Sequence, residues 1–229
     1  MLGCGIDLGT SGCRLALVDA TGLIDQLSCP YPGPFHQAGS WRLGVQQLFG
    51  QLPEEQRLQI GAIAIDGTSG TLLACGPAGE PLAPALAYND ACPEQVQRTL
   101  ELVPHGGSAA SSSGSVARSL RLLEQLSEQP GSELLLRHQA DWLMGWLLGN
   151  WSWGEEGNNL RLGWDLLSNQ WSGGIGLANW ASALPTVIPS GQLVGCIGDA
   201  AAAELKLPRC CQIVSGTTDA NAAVLAAEP

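Results

Sequence analysis

The stretch GCGIDLGTSG at residues 3–12 decides the fold, because a strand-like apolar run ends there in a carboxylate and a tight turn. Asp7 closes the first run, and a second apolar run follows at residues 13–18. Between them, the turn offers several backbone N–H groups together with the hydroxyls of Thr10 and Ser11, which suits a phosphate. The carboxylate beside it suits Mg²⁺, usually through water. An ordinary hairpin turn that begins with Asp would show the same residues.

A second turn of this kind lies near the other end of the sequence. An apolar pair leads into SGTT at residues 215–218, and Asp219 then opens an Ala-rich helix. The carboxyl end of a strand is where open α/β sheets place ligands, and the start of a helix favours an ionised carboxylate. Asp219 is therefore a candidate catalytic base, although Asp at this position is also a common helix N-cap.

Composition excludes several classes of protein. The chain has 229 residues, 45% of them hydrophobic and 14% charged, which is ordinary for a globular enzyme. A formal net charge of -11 argues against nucleic acid and anionic membranes as partners, but backbone N–H groups and Mg²⁺ can still bind a phosphate. Lys206 is the only lysine, and the Gly/Lys pattern of a P-loop kinase does not occur.

The cysteines and the apolar stretches indicate the cellular compartment of the protein. Several of the eight cysteines lie inside apolar, strand-like runs, so we interpret them as reduced and mostly buried. No stretch approaches the roughly 20 apolar residues that cross a bilayer. We therefore expect a cytoplasmic protein with no membrane partner and no nucleic-acid partner.

Hydrophobic periodicity predicts three strands followed by alternating helices and strands, which is an α/β pattern. A helix is expected from residue 41 to 52, with Ser40 as its N-cap. The other predicted helices are 116–126, 138–148, 199–205 and 219–227. The predicted strands are 2–8, 13–18, 23–28, 60–65, 71–75 and 210–215.

Several segments, in matching order and over nearly the whole chain, resemble the FGGY family of carbohydrate kinases. They include AIDGTSGT at 64–71, GEPLAPA at 79–85, YND at 88–90 and HQADWL at 138–143. The GTS variant at 67–69 most resembles the ribulose/xylulose kinase branch. The resemblance implies the ribonuclease-H-like fold of actin, hexokinase and the heat-shock ATPases, with a mixed sheet and flanking helices.

The resemblance also implies roles for individual residues, with ATP and Mg²⁺ as cofactors. Asp219 would take the proton of the acceptor hydroxyl, and Asp7 would position Mg²⁺ and phosphate. Further phosphate or ATP contacts would come from Gly9, Thr10, Ser11, Gly216, Thr217 and Thr218, and substrate contacts from Thr68, Ser69 and Asp90. Short hydroxyls and a carboxylate suit a polyol, which needs both donors and acceptors. Without the resemblance, each would more often be an ordinary loop residue.

The expected domains follow from the same resemblance. Residues 1–215 would form the N-terminal sugar-binding lobe, and residues 216–229 would begin a C-terminal nucleotide lobe whose remainder is absent. The expected function is ATP-dependent phosphorylation of a pentulose or related polyol, with the 229-residue chain inactive alone. Its partners would be the small-molecule sugar and either the missing C-terminal lobe or a second copy in a homo-oligomer. A non-catalytic sugar-binding or interaction module is one alternative, and glycerol kinase or another FGGY kinase is another.

Overall fold

The computed structural model describes residues 1–127 and 133–227. In these residues, the strands are β1 (Leu2–Leu8), β2 (Gly12–Asp19), β3 (Gly22–Pro30), β4 (Ile60–Gly67), β5 (Leu72–Cys75), β6 (Leu135–His138), β7 (Trp153–Glu155), β8 (Trp164–Asp165), β9 (Gln170–Trp171), β10 (Thr186–Ile188), β11 (Leu193–Cys196) and β12 (Gln212–Val214). The helices are α1 (Ala38–Gln51), α2 (Glu54–Arg57), α3 (Val96–Leu102), α4 (Ser115–Leu126), α5 (Gln139–Leu148), α6 (Glu156–Asn159), α7 (Gly173–Gly176), α8 (Asp199–Leu205) and α9 (Asp219–Ala227).

A six-stranded mixed sheet forms the centre of the molecule, in the order β11-β12-β4-β1-β2-β3. The β1–β2 and β2–β3 pairs are antiparallel hairpin neighbours. In contrast, β4 pairs in parallel with both β1 and β12. The carboxyl ends of β1, β4 and β12 therefore meet at the same edge of the sheet.

The two faces of the sheet differ in side-chain size. In β1, Leu2, Cys4, Ile6 and Leu8 are all buried, whereas the alternate positions are less buried and include the small residues Gly3 and Gly5. Successive side chains of a strand point to opposite faces, so the large residues enter the core together. The opposite face keeps little side-chain bulk near Asp7.

Helices α1, α5 and α8 cover the apolar face. Helix α1 packs on β2 and β3, and α5 packs on β4 and β12. Trp41 of α1 is fully buried and meets Trp142 of α5 edge to face, with ring centroids 6.1 Å apart. Two smaller apolar clusters form beyond the sheet, one around β5, β6 and α4 and the other around α3, α4 and α7.

Most predicted elements are confirmed, with shifts at their ends. The predicted Ser40 cap is wrong, because α1 begins at Ala38, Gln37 occupies the N-cap position and Ser40 lies buried in the first turn. Glu228 and Pro229, which the predicted second-lobe segment includes, lie outside the described residues. Within the described ranges, no helix combines the length and apolar character that a membrane span requires.

Two helical glycines provide a test of the packing around α5. A Cβ at Gly145 would overlap the indole of Trp151, whose Nε1 donates to Trp142 O at 3.0 Å, whereas a Cβ at Gly39 of α1 would meet open space. We expect Gly145→Ala to lower the free energy of unfolding by about 1–3 kcal/mol through overpacking. Gly39→Ala should leave it unchanged or raise it by up to about 1 kcal/mol. Urea denaturation measures both, and equal effects would contradict this packing.

Candidate functional site

Three carboxylates lie at the edge of the sheet where its parallel strands end. Asp7 and Asp66 are register partners on β1 and β4. Gly67, the last residue of β4, forms a parallel bridge with Thr218, and Asp219 follows directly. The strand order β12-β4-β1 therefore places Asp66 between Asp219 and Asp7. The carboxylates of the two predicted phosphate turns are brought to one edge by strand pairing.

Asp219 contacts the predicted substrate residue Ser69 directly. Its Oδ1 accepts hydrogen bonds from Ser69 N at 3.2 Å and from Ser69 Oγ at 2.8 Å. Its own helix is capped by another residue, because Thr218 Oγ1 accepts from Asn221 N at 3.2 Å. Asp219 therefore contacts a serine hydroxyl of the segment 67–71 at hydrogen-bond distance.

The turn that carries Asp219 depends on a glycine. A Cβ at Gly216 would overlap the backbone of Ile65 in β4, so only glycine fits where the two strands approach. Thr217 and Thr218 follow it and are both buried. Thr217 Oγ1 accepts from Asn221 Nδ2 at 3.1 Å. Both threonine hydroxyls thus already have partners within the protein.

The first turn is held in a different way. Tyr31 donates its hydroxyl to Gly9 O at 3.0 Å and its backbone N–H to Ser11 O at 3.3 Å. Thr10 and Ser11 are exposed and line a cavity of about 490 Å³ with Arg14. Arg14 also pairs with Asp7 at 2.5 Å, and its side chain is 72% exposed. The turn therefore presents exposed hydroxyls beside a carboxylate and a cation.

Asp66 is the carboxylate that the sequence reasoning did not assign to the site. Burial and the negative charge of Asp7 raise the pKa of Asp66 to about 7. Its Oδ1 is buried and has no hydrogen-bond partner in the described residues. Together with Asp7 and Arg14, Asp66 lines a cavity of about 610 Å³. A signal was present in the sequence, because IDGTSG at 65–70 closely repeats the IDLGTSG of 6–12.

Thr68 lies beneath the surface of the protein. It is 4% exposed, and its Oγ1 contacts Gln139 Oε1 and Thr71 Oγ1, each at 2.7 Å. Its backbone N–H also donates to Gln139 Oε1 at 3.2 Å. These bonds tie the turn at residues 68–71, here named the Ser69 turn, to the start of α5. A sugar contact by Thr68 remains a prediction.

Asp90 lies in a second loop, residues 87–92, here named the Asp90 loop. Its Oδ2 accepts from Ala87 N at 2.7 Å and lies 3.6 Å from His36 Nδ1. Arg118 joins this loop to the Ser69 turn by donating to Asp90 O at 3.2 Å and to Gly70 O at 2.7 Å. The structure thus brings Ser69 and Asp219 into contact and attaches Asp90 through Arg118.

Comparison with solved structures supports the fold. No protein-family model matches the chain. The chain is similar to xylulose kinase from Rhodospirillum rubrum, with a TM-score of 0.83 and 21% identity over 99% of this chain and 50% of that one. It is similar to a carbohydrate kinase from Novosphingobium aromaticivorans, with a TM-score of 0.74 and 22% identity over 98% of this chain and 51% of that one. It is also similar to glycerol kinase with ADP from Plasmodium falciparum, with a TM-score of 0.76 and 16% identity over 98% of this chain and 49% of that one.

These likenesses confirm the predicted fold class. The mixed sheet with flanking helices is the actin/hexokinase-like fold, and solved carbohydrate kinases share it. The chain spans about half the length of these solved structures. At this level of identity the comparison establishes the fold, and the roles of individual residues depend on the geometry described above.

The raised pKa of Asp66 predicts how stability depends on pH. An unfolded Asp titrates near pH 3.9, so between about pH 4 and pH 7 the folded protein binds more protons than the unfolded chain. The contribution of Asp66 to the free energy of unfolding should therefore fall as pH rises through this window. We expect Asp66→Asn to gain stability relative to the original protein as pH goes from 4 to 8, measured by urea denaturation at each pH. Parallel profiles for the two proteins would contradict the assignment.

Proposed function

We propose that this chain is the sugar-binding part of an ATP- and Mg²⁺-dependent carbohydrate kinase that phosphorylates a pentulose or related polyol. The observation that carries the proposal is the contact between Asp219 Oδ1 and Ser69 Oγ at 2.8 Å, at the sheet edge where Asp7 and Asp66 also lie. The fold is shared with xylulose and glycerol kinases, which supports the same reaction class. A cytoplasmic location goes with this proposal.

Asp219 would act as the general base. A polyol hydroxyl that displaces the Ser69 hydroxyl would occupy the same hydrogen-bonding position on Asp219 Oδ1. The base would accept the hydroxyl proton as the oxygen attacks the γ-phosphorus, and ADP would leave on the opposite side. The amide of Ser69, 3.2 Å from Oδ1, would keep the carboxylate oriented during the exchange. Asp90 would accept a hydrogen bond from another hydroxyl of the polyol.

The residues at the sheet edge fit Mg²⁺, which binds oxygen ligands and usually retains several waters. Asp7 supplies a carboxylate, and the buried Oδ1 of Asp66 has no partner among the described residues. Across those residues, no group of three or more His, Cys, Asp or Glu side chains is arranged to hold an ion. Mg²⁺ at Asp7 would therefore take its other ligands from phosphate oxygens and water. The ion would neutralise charge on the transferring phosphoryl group.

Gly9, Thr10, Ser11, Gly216, Thr217 and Thr218 would form the two turns around the phosphates. Thr10 and Ser11 are exposed and free to contact the γ-phosphate, whereas the two later threonines would contribute chiefly by holding the start of α9. In this proposal, residues 1–215 form the sugar-binding lobe and residue 216 begins a nucleotide-binding lobe. The chain's coverage of about half of the similar kinases supports this division.

Polyol binding tests the proposed pocket. Calorimetric titration of the chain with xylulose, ribulose, ribitol, arabinitol and glycerol should give saturable heat for at least one of them. Asp219→Asn should weaken that binding about tenfold, because a charge-assisted hydrogen bond is lost while the shape is kept. Asp199→Asn is the matched control, since Asp199 is an exposed α8 carboxylate that pairs with Arg209 at 3.3 Å. Equal affinity in the Asp219 variant and the original protein would place the pocket elsewhere.

Catalysis separates the roles of the two turns. With Mg·ATP and polyol, the 229-residue chain should release almost no ADP, because the proposed nucleotide lobe is not supplied. When that lobe is supplied, Asp219→Asn should lower polyol-dependent ADP release by roughly 10²–10⁴-fold. Asp7→Asn should instead raise the Mg²⁺ concentration required for half-maximal rate. Vigorous turnover by the chain alone, or full activity in Asp219→Asn, would contradict the proposal.

A further inference from the structure

Arg118 is a fully buried cation that the proposed reaction does not use. It lies in α4, and its side chain is 0% exposed. Its guanidinium donates to the backbone carbonyls of Gly70 at 2.7 Å, Asp90 at 3.2 Å and Ser113 at 2.6 Å, and also to Tyr88 O. Burial lowers the pKa of Arg118 to about 10, so the group remains charged at neutral pH.

The partners of Arg118 are unusual for a buried cation. In residues 1–127 and 133–227, no carboxylate lies within ion-pair distance of it, and every partner is a main-chain carbonyl. Several donors fixed in one plane can reach several carbonyls at once, which is a property of arginine and not of lysine. Arg118 therefore fixes backbone positions rather than neutralising a charge.

Three of those four carbonyls belong to the loops that carry the predicted substrate residues, and the fourth, that of Ser113, lies just before α4. Gly70 directly follows Ser69, the residue that contacts Asp219. Tyr88 and Asp90 lie in the Asp90 loop. The two segments are separated by β5 and the residues after it, and the guanidinium contacts both. Arg118 thus links the two loops, alongside the bond from Tyr88 N to Thr71 Oγ1 at 3.1 Å.

We infer that Arg118 is a positioning residue, which holds the Ser69 turn and the Asp90 loop at the spacing that a polyol requires in front of Asp219. The inference rests on the proposed function for the identity of the ligand. The holding of the two loops by one guanidinium does not depend on the ligand and can be tested without it.

Arg137 offers a matched control elsewhere in the fold. It is 2% exposed, and it also donates to main-chain carbonyls, those of Leu136 at 2.6 Å, Ala183 at 2.9 Å and Trp151. Burial lowers the pKa of Arg137 to about 10 as well. None of these three carbonyls belongs to the Ser69 turn or to the Asp90 loop. If Arg118 contributed only to stability, its substitution should therefore have the same effects as the substitution of Arg137.

The experiment compares Arg118→Lys with Arg137→Lys by amide hydrogen exchange on the unliganded chain and by polyol titration. Both variants should melt at a lower temperature. Only Arg118→Lys should exchange faster at the Ser69, Tyr88 and Asp90 amides, which are bonded to Asp219, Thr71 and Ala87 respectively. We expect about tenfold faster exchange at these amides and about tenfold weaker polyol binding, since each lost bond to a charged group is worth about that factor.

Each outcome decides the inference. Unchanged protection of these amides in Arg118→Lys, or equal loss in both variants, would overturn it. If Arg118→Lys does not fold, native-state exchange of the original protein in low urea decides instead: the three amides should open together, and separate opening free energies would overturn the inference. If the original protein binds no polyol, the proposed function fails, while the exchange measurements still decide whether Arg118 holds the loops.

Discussion

The parallel pairing of β4 with β1 on one side and β12 on the other is the constraint on which the site depends. Parallel neighbours place their carboxyl ends at the same edge, and the register Asp7↔Asp66 fixes the first two carboxylates side by side. The bridge between Gly67 and Thr218 sets the third. A shift of one residue in either pairing would turn a carboxylate to the other face of the sheet. The glycine at 216 allows the close approach that this bridge requires.

The same pairing concentrates negative charge. Burial raises the pKa of Asp66 most, and the charges of Asp7 and Asp219 raise it further. The nearby cation Arg14 is largely exposed and pairs with Asp7. Such an arrangement opposes folding at neutral pH unless a proton or a cation joins it. Carboxylates whose pKa is shifted by burial and by neighbouring like charges cluster at functional sites. The small residue Gly5 leaves open space on this face beside Asp7.

Local patterns predicted the α/β class and most elements, because apolar runs, turns and helix starts are encoded within a few residues, whereas the particular fold was implied by the resemblance to a known family. Asp7 and Asp219 were assigned from turns of that kind, and the strand ends place both at one edge. Arg118 was not assigned, since an arginine in an amphipathic helix predicts a solvent-facing position. Its burial depends on carbonyls from loops that meet only in the folded chain.

Thr68 and Ser40 illustrate the same limit of local patterns. Thr68 follows a strand and is next to Ser69, and its hydroxyl contacts Gln139 of a helix that is distant in sequence. Ser40 is a residue type that often caps helices, but α1 begins two residues before it and Ser40 is buried. The residues adjacent to Thr68 and Ser40 in the sequence indicate neither result.

Helix α9 is joined to the sheet at its first turn, where Asn221 bonds to Thr217 and Thr218, and none of its described residues is buried. Because Asp219 is the first residue of α9, a rotation of the helix about its first turn would change the distance of 2.8 Å between Asp219 Oδ1 and Ser69 Oγ. Few buried apolar contacts would oppose such a rotation.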